Sequence, residues 1–267
     1  MKPFGLTLRI AGAAVVLWAL QAFWSRPQTF AELGPLILPS LLIVLALGLV
    51  VACSLQQGWK LAATVFVLYF GINQLNTLDE ALLFNIGLKA SQVFRMLASD
   101  CVTALIFSTL LVLILGCWKR APQERVGPVL PRSAANWLGR ILAGDVLYVI
   151  CYFVAGIIAF PFVKDFYAGI KLPGPVSILE LEVFRGFVYV AAGLAVVHGM
   201  QGHRRRAAAS LGLSFPILAG VAPLLLPNAY LPGYVRLAHG FEIGISNTAY
   251  GMLLGYLLTR KAALSID

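Results

Sequence analysis

The chain has 267 residues, of which 60% are hydrophobic and only 12% charged, and its mean hydropathy is +0.87; an average soluble domain carries roughly 25% charged residues. This composition excludes an ordinary soluble fold and points to the lipid bilayer as the chain's surroundings. The net charge of +9 does not imply nucleic acid as a partner, because the cations lie in short segments between apolar runs and form no stripe on a soluble surface.

Apolar runs near residues 7–24, 35–54, 61–84, 101–118, 137–161, 179–199, 208–226 and 237–258 are each long enough to cross a membrane. The expected fold is all-α: a single domain over 1–267, a polytopic transmembrane helix bundle of about eight spans. Breakers and charges separate the runs, among them Arg26-Pro27, Gln56-Gln57-Gly58, the basic run from Lys119 to Arg140 and Pro173-Gly174-Pro175. Met1-Lys2 before an apolar run, with Ala19-Leu20-Gln21-Ala22 behind it, loosely fits a signal peptide. The run exceeds the usual signal core, so it reads as a first span.

Short basic loops stay in the cytoplasm. Lys2 and Arg9 open the chain, Lys119, Arg120, Arg125 and Arg132 follow the fourth run, Arg204 to Arg206 the sixth, and Arg260 and Lys261 the eighth. These all fall on one side if both termini are cytoplasmic, in a plasma or bacterial-type inner membrane. Cys53, Cys101, Cys117 and Cys151 show no metal-ligand spacing and read as small core residues.

Function is sought in polar groups inside the apolar runs, where they are costly and mark working sites. In the third run Tyr69, Asn73, Asn76, Thr77 and Glu80 recur at steps of three and four and form one stripe, which must face the bundle interior or a cleft. Packing by interhelical hydrogen bonds explains the amides as well as function does; the Glu80 carboxylate favours function. In the eighth run His239 and Glu242 are three apart, and Ser246 and Tyr250 continue their face. Such a pair can ligate a cation or pass a proton. Gly240, Gly244, Gly251 and Gly255 predict close helix packing. In the sixth run Glu182 and Arg185 have ion-pair spacing, and Asp145 in the fifth reads equally as a helix-helix hydrogen bond or a proton carrier.

With the amino terminus inside, the third run ends where the sixth and eighth begin, so Glu80, Glu182, Arg185, His239 and Glu242 share one depth. The expectation is that they converge on an outward-opening cavity. His239, Glu242 and Glu80 there can hold a divalent metal ion, three ligands plus water being the usual catalytic set. Glu180 through Arg185 followed by Gly186 also resembles the Glu-Glu-x-x-x-Arg motif of the CAAX-processing and bacteriocin-immunity membrane proteases. Leu181 stands in place of the second glutamate, and Ile243 stands four residues after His239 where those proteases have Asn or Asp. The likeness spans some six residues of 267 and is not adopted. Three functions follow: binding or transport of a cation or small polar solute, with Tyr69, Asn73, Asn76, Thr77, Glu80, Glu182, Arg185, Ser246 and Tyr250 around it; a hydrolase or transferase acting on lipid or peptide, with Glu80, His239 and Glu242 as candidate catalytic residues; or an accessory subunit that packs against other membrane subunits.

Overall fold

In a computed structural model, residues 3–25, 29–83, 89–119, 133–170, 172–200, 203–226 and 231–259 are described, and among them there is no strand. Helix α1 covers Pro3–Ser25 and, after two short 3-10 turns, α2 covers Ile37–Cys53. Next, α3 (Gly58–Tyr69), a π-helical turn (Phe70–Leu75) and α4 (Asn76–Leu83) form one interrupted helix. Helices α5 (Ala90–Ile114), α6 (Ala134–Tyr167) and α7 (Pro175–Met200) follow. Then α8 (Arg204–Pro216), a second π-helical turn (Ile217–Val221) and α9 (Ala222–Leu225) make another interrupted helix, and α10 (Gly233–Thr259) is the last.

Six of these segments are long and apolar enough to cross a membrane: 4–24, 34–53, 90–114, 134–167, 175–200 and 204–225. They support a multi-pass membrane protein. The remaining two predicted spans coincide with Gly58–Leu83 and with α10, which are not among those six. Helix α6, at 34 residues, is about 51 Å long, well beyond the roughly 30 Å of a hydrocarbon core.

The ends of the helices interlock. Helix α5 closes on Gly116, whose φ of 72° is open to glycine without strain. Gly116 N donates to Leu113 O and Cys117 N to Val112 O, the paired bonds of a Schellman cap. Gly58 N at the start of α3 donates to Cys117 O, and Leu55 N donates to Gly199 O near the end of α7. The ends of α2, α5 and α7 and the start of α3 therefore share one end of the bundle. Arg140 at the start of α6 donates to Leu257 O near the end of α10, and Arg204 at the start of α8 lies 4.7 Å over the Tyr256 ring.

The core joins α7, α8 and α10 to α6. Tyr148 stacks on Tyr189 with centroids 4.6 Å apart, and Tyr250 and Phe215 close the aromatic group. Of the four glycines predicted to allow close packing, Gly251 and Gly255 do so. A Cβ would stand 2.6 Å from Leu211 O at the first and 2.5 Å from Ala208 Cα at the second, both on α8. Gly240 faces open space, so it carries none of that contact.

The two π-helical turns meet. In the second, Ala222 N bonds Ile217 O, so the next carbonyl, Leu218 O, would look to residue 223 for its donor. Pro223 has no N–H. Asn73, in the first π-helical turn, fills the gap: its Nδ2 donates to Leu218 O at 2.7 Å. An orphan carbonyl in an apolar interior would cost several kcal/mol, roughly, so the amide is required here.

Candidate functional site

The residues singled out in the sequence fall into two clusters. The first lies between α4 and α7. Arg185 Nε donates to both Asp79 oxygens at 3.1 Å, Nη2 donates to Asp79 Oδ1 as well, and also to Asn76 O at 3.0 Å. Nη1 donates to Glu182 Oε1 at 3.0 Å. All three charged side chains are buried. The fork geometry of guanidinium explains why Arg185 can serve two carboxylates and a carbonyl together. The predicted Glu182–Arg185 pair is thus present, and Asn76 joins it through its main chain.

Asp79, the main partner of Arg185, did not belong to the predicted stripe. The stripe assumed an unbroken 3.6-residue period from Tyr69 onward. The π-helical turn over Phe70–Leu75 adds a residue to that turn, and each residue is about 100° of rotation. Asn76, which the stripe included, and Asp79, three residues on and so on the same helix face, are both buried. The side chains of Thr77 and Glu80 lie outside the described residues, so no position is assigned to the carboxylate on which the metal and cavity expectations leaned. Tyr69, also in the stripe, is fully buried, receives a hydrogen bond from Gln74 Nε2 at 3.0 Å and packs edge-on against Phe107. It and Asn73 hold helices together.

The second cluster lies between the end of α6 and the start of α10. His239 Nδ1 and Glu242 Oε2 are 2.7 Å apart, and His239 Nε2 and the Tyr167 hydroxyl are 2.9 Å apart. A carboxylate on Nδ1 fixes the ring's tautomer and orientation, and Tyr167 occupies the other nitrogen. Gly156 on α6 makes room for this: Glu242 Oε1 comes within 3.8 Å of where its Cβ would be. Tyr167 was missed in the sequence because 72 residues separate it from His239 and no local pattern links them.

Beside Glu242 runs a groove of about 710 Å³ between α6 and α10. Its floor is narrow-sided because α6 contributes Ala155 and Ala159 and α10 contributes Ala238 and Ala249; Phe162, Phe241 and Ile245 wall it. These three walls are largely exposed, at 73%, 64% and 71%, so the groove opens sideways from the bundle. Glu242 supplies the charge and Ser246 and Tyr234 the hydroxyls in a lining that is otherwise mostly apolar. The volume falls within the roughly 300–1,000 Å³ typical of small-molecule sites.

The structure does not bring the two clusters into one cavity. Glu182 and Arg185 bond to α4, whereas His239 and Glu242 face α6, and Tyr250 is buried in the aromatic core between them. Helical period and topology place groups at one depth, while helix rotation decides which neighbour each one meets; the side chain of Glu80, the fifth residue expected to converge here, lies outside the described residues. Among the described residues no three His, Cys, Asp or Glu side chains gather as a metal site. No family model, curated protein or solved structure matches this chain.

Proposed function

We propose that the chain crosses the inner or plasma membrane eight times with both termini in the cytoplasm, and binds an amphipathic molecule in the groove between α6 and α10. Its apolar tail lies along Val154, Ile158, Phe241 and Ile245, and its head, cationic or rich in hydrogen-bond donors, meets Glu242 beside His239 and Tyr167. The orientation rests on where the basic residues gather: Arg140 and Arg204, Lys60 in the first turn of α3 and Lys119 after α5 all lie at one end of the bundle, the end that the positive-inside rule puts in the cytoplasm. His239 and Tyr167 lie at the other end, in the outer half of the bilayer.

One observation carries the binding reading: a laterally open, almost wholly apolar groove with a carboxylate in its lining. A small polar solute would find few partners there, whereas a lipid-like molecule enters from the bilayer without leaving an apolar medium. The expected ligand class narrows from a cation or small polar solute to one that carries an apolar chain, and transport of such a molecule between leaflets or its delivery to a partner fits the same site.

A second reading is favoured by the Glu242–His239–Tyr167 chain, in which a carboxylate orients an imidazole whose other nitrogen meets a hydroxyl. That is the geometry of general acid-base catalysis, and it suits a hydrolase or transferase acting on the molecule in the groove. Binding is tested with purified full-length protein in detergent and two fluorescent probes of equal chain length, one a long-chain amine and one a long-chain carboxylic acid. The amine binds more tightly; Glu242→Gln weakens amine binding about tenfold, the size of one charge-assisted hydrogen bond, and Ala155→Trp abolishes binding of both. Equal affinity of wild type and both variants refutes the groove as the site.

A further inference from the structure

Glu242 stands at neither end of the groove between α6 and α10. Along α10 the lining runs from Tyr234 to Ala249, which at 1.5 Å per residue puts Glu242 about 12 Å from the first and about 10 Å from the last. Along α6 it runs from Cys151 to Phe162. Glu242 Oε1 lies beside Gly156, about 8 Å from Cys151 and about 9 Å from Phe162 along the helix. Two antiparallel helices thus agree that the carboxylate is set midway, with a stretch of groove on either side of it.

Both stretches are apolar. The outer one passes Phe162, Leu237 and Ala238 before it reaches the hydroxyl of Tyr234, in the first turn of α10 and exposed. The inner one passes Val154, Ile245 and Ala249 and ends on Cys151; Ser246, one turn inward from Glu242, turns its hydroxyl to Ile243 O on its own helix. Among the described residues, Glu242 Oε2 takes the hydrogen bond from His239, which leaves Oε1 for a ligand. A polar head seated there that continued outward would cross about 12 Å of apolar lining without partners, a costly passage for polar groups. An apolar arm meets no such cost.

We propose, resting on the reading of the groove as a binding site, that its ligand carries its cationic group internally: a secondary ammonium between two apolar arms. One arm lies outward along Leu237 and Ala238 and the other inward along Val154 and Ile245, while the ammonium donates to Glu242 Oε1. An extended chain advances roughly 1.2 Å per bond, a third of the span of a three-bond residue, so each half of the groove takes an arm of about eight carbons. A ligand with a terminal head and one tail would fill half of the groove and leave the other half to solvent or detergent. Charge complementarity to Glu242 selects the ammonium, and the midway position of that carboxylate selects where along the molecule it must stand.

The test is competition against the fluorescent long-chain amine on full-length protein in detergent, with dioctylamine, hexadecylamine and octylamine as competitors. The first two share carbon number and charge and differ in where the nitrogen stands. Dioctylamine displaces the probe at a concentration about tenfold lower than hexadecylamine, the worth of roughly ten van der Waals contacts in the second half of the groove. Ala238→Trp fills the outer half and Ala249→Trp the inner half; each weakens dioctylamine about tenfold for the same loss of contacts, whereas octylamine, which needs one half only, competes as it does in wild type. Hexadecylamine competing as well as dioctylamine overturns the proposal while leaving the groove as the site of a terminal head, and so does dioctylamine binding that neither variant weakens. Failure of all three amines to displace the probe refutes the groove reading and the proposal together. The wild-type comparison requires no variant, so the proposal stays falsifiable if either tryptophan lowers folded yield.

Discussion

Replacement of Arg185 by Met removes the one cation of the buried cluster while keeping most of its volume. Asp79 then loses hydrogen bonds from Nε and Nη2, and Glu182 loses the one from Nη1. Breaking a buried ion pair by removing one partner costs about 3–5 kcal/mol, because the remaining charge is left uncompensated. The cost is expected at the upper end, since Asp79 is held by both oxygens and the Asn76 carbonyl loses its donor as well. Replacing all three charges, as Arg185→Met with Asp79→Leu and Glu182→Leu, leaves no orphan charge, and well-packed apolar replacements of buried ionic groups are often neutral or stabilising. Reversible unfolding in mixed micelles, with each variant titrated by the same denaturing detergent, measures both. A single variant within about 1 kcal/mol of wild type, the value of an exposed pair, refutes the buried-cluster reasoning. So does a triple variant that is no more stable than the single one.

Other substitutions probe the packing and the groove. Asn73→Ala strands the Leu218 carbonyl and is expected to lower stability by about 1–3 kcal/mol in the same titration; Asn73→Asp, which has no donor for that carbonyl, rescues nothing. Gly186→Ala drives a methyl into the Asp145 carboxylate and costs about 1–3 kcal/mol as overpacking, whereas Gly240→Ala, facing open space, leaves unfolding unchanged. Equal effects of the two would contradict the α6–α7 contact. Gly251→Val forces α10 off the Leu211 main chain, and the purified variant is expected to aggregate or elute early in size exclusion. Elemental analysis of protein purified without chelator is expected to find no stoichiometric transition metal, because Glu242 and Tyr167 engage both His239 ring nitrogens; metal present in wild type and lost in His239→Ala would assign that histidine to a metal instead.

Much of the architecture was legible in the residues. Apolar length and the spacing of breakers located the segments that became helices, because a chain in an apolar medium must satisfy its own main-chain hydrogen bonds and helices do so within one segment. The Glu182–Arg185 and His239–Glu242 pairs were legible for a similar reason: three residues along a helix bring side chains to one face whatever the rest of the chain does.

The identity of each pair's further partner was decided elsewhere. Asp79 reaches Arg185 because it lies three residues after Asn76, on the face that α7 packs against, and Tyr167 reaches His239 because α6 continues to residue 167, beyond the predicted end at 161. Asn73, which reads in the sequence equally as packing or function, is the donor for a carbonyl that Pro223 on another helix cannot serve. The groove itself has no sequence signature: alanines at 155, 159, 238 and 249 are unremarkable singly and make a cavity only where α6 and α10 face each other. Local periodicity fixes which residues share a face of one helix, but the rotation and pairing of helices come from the sum of contacts over the bundle, and that sum exists only in three dimensions.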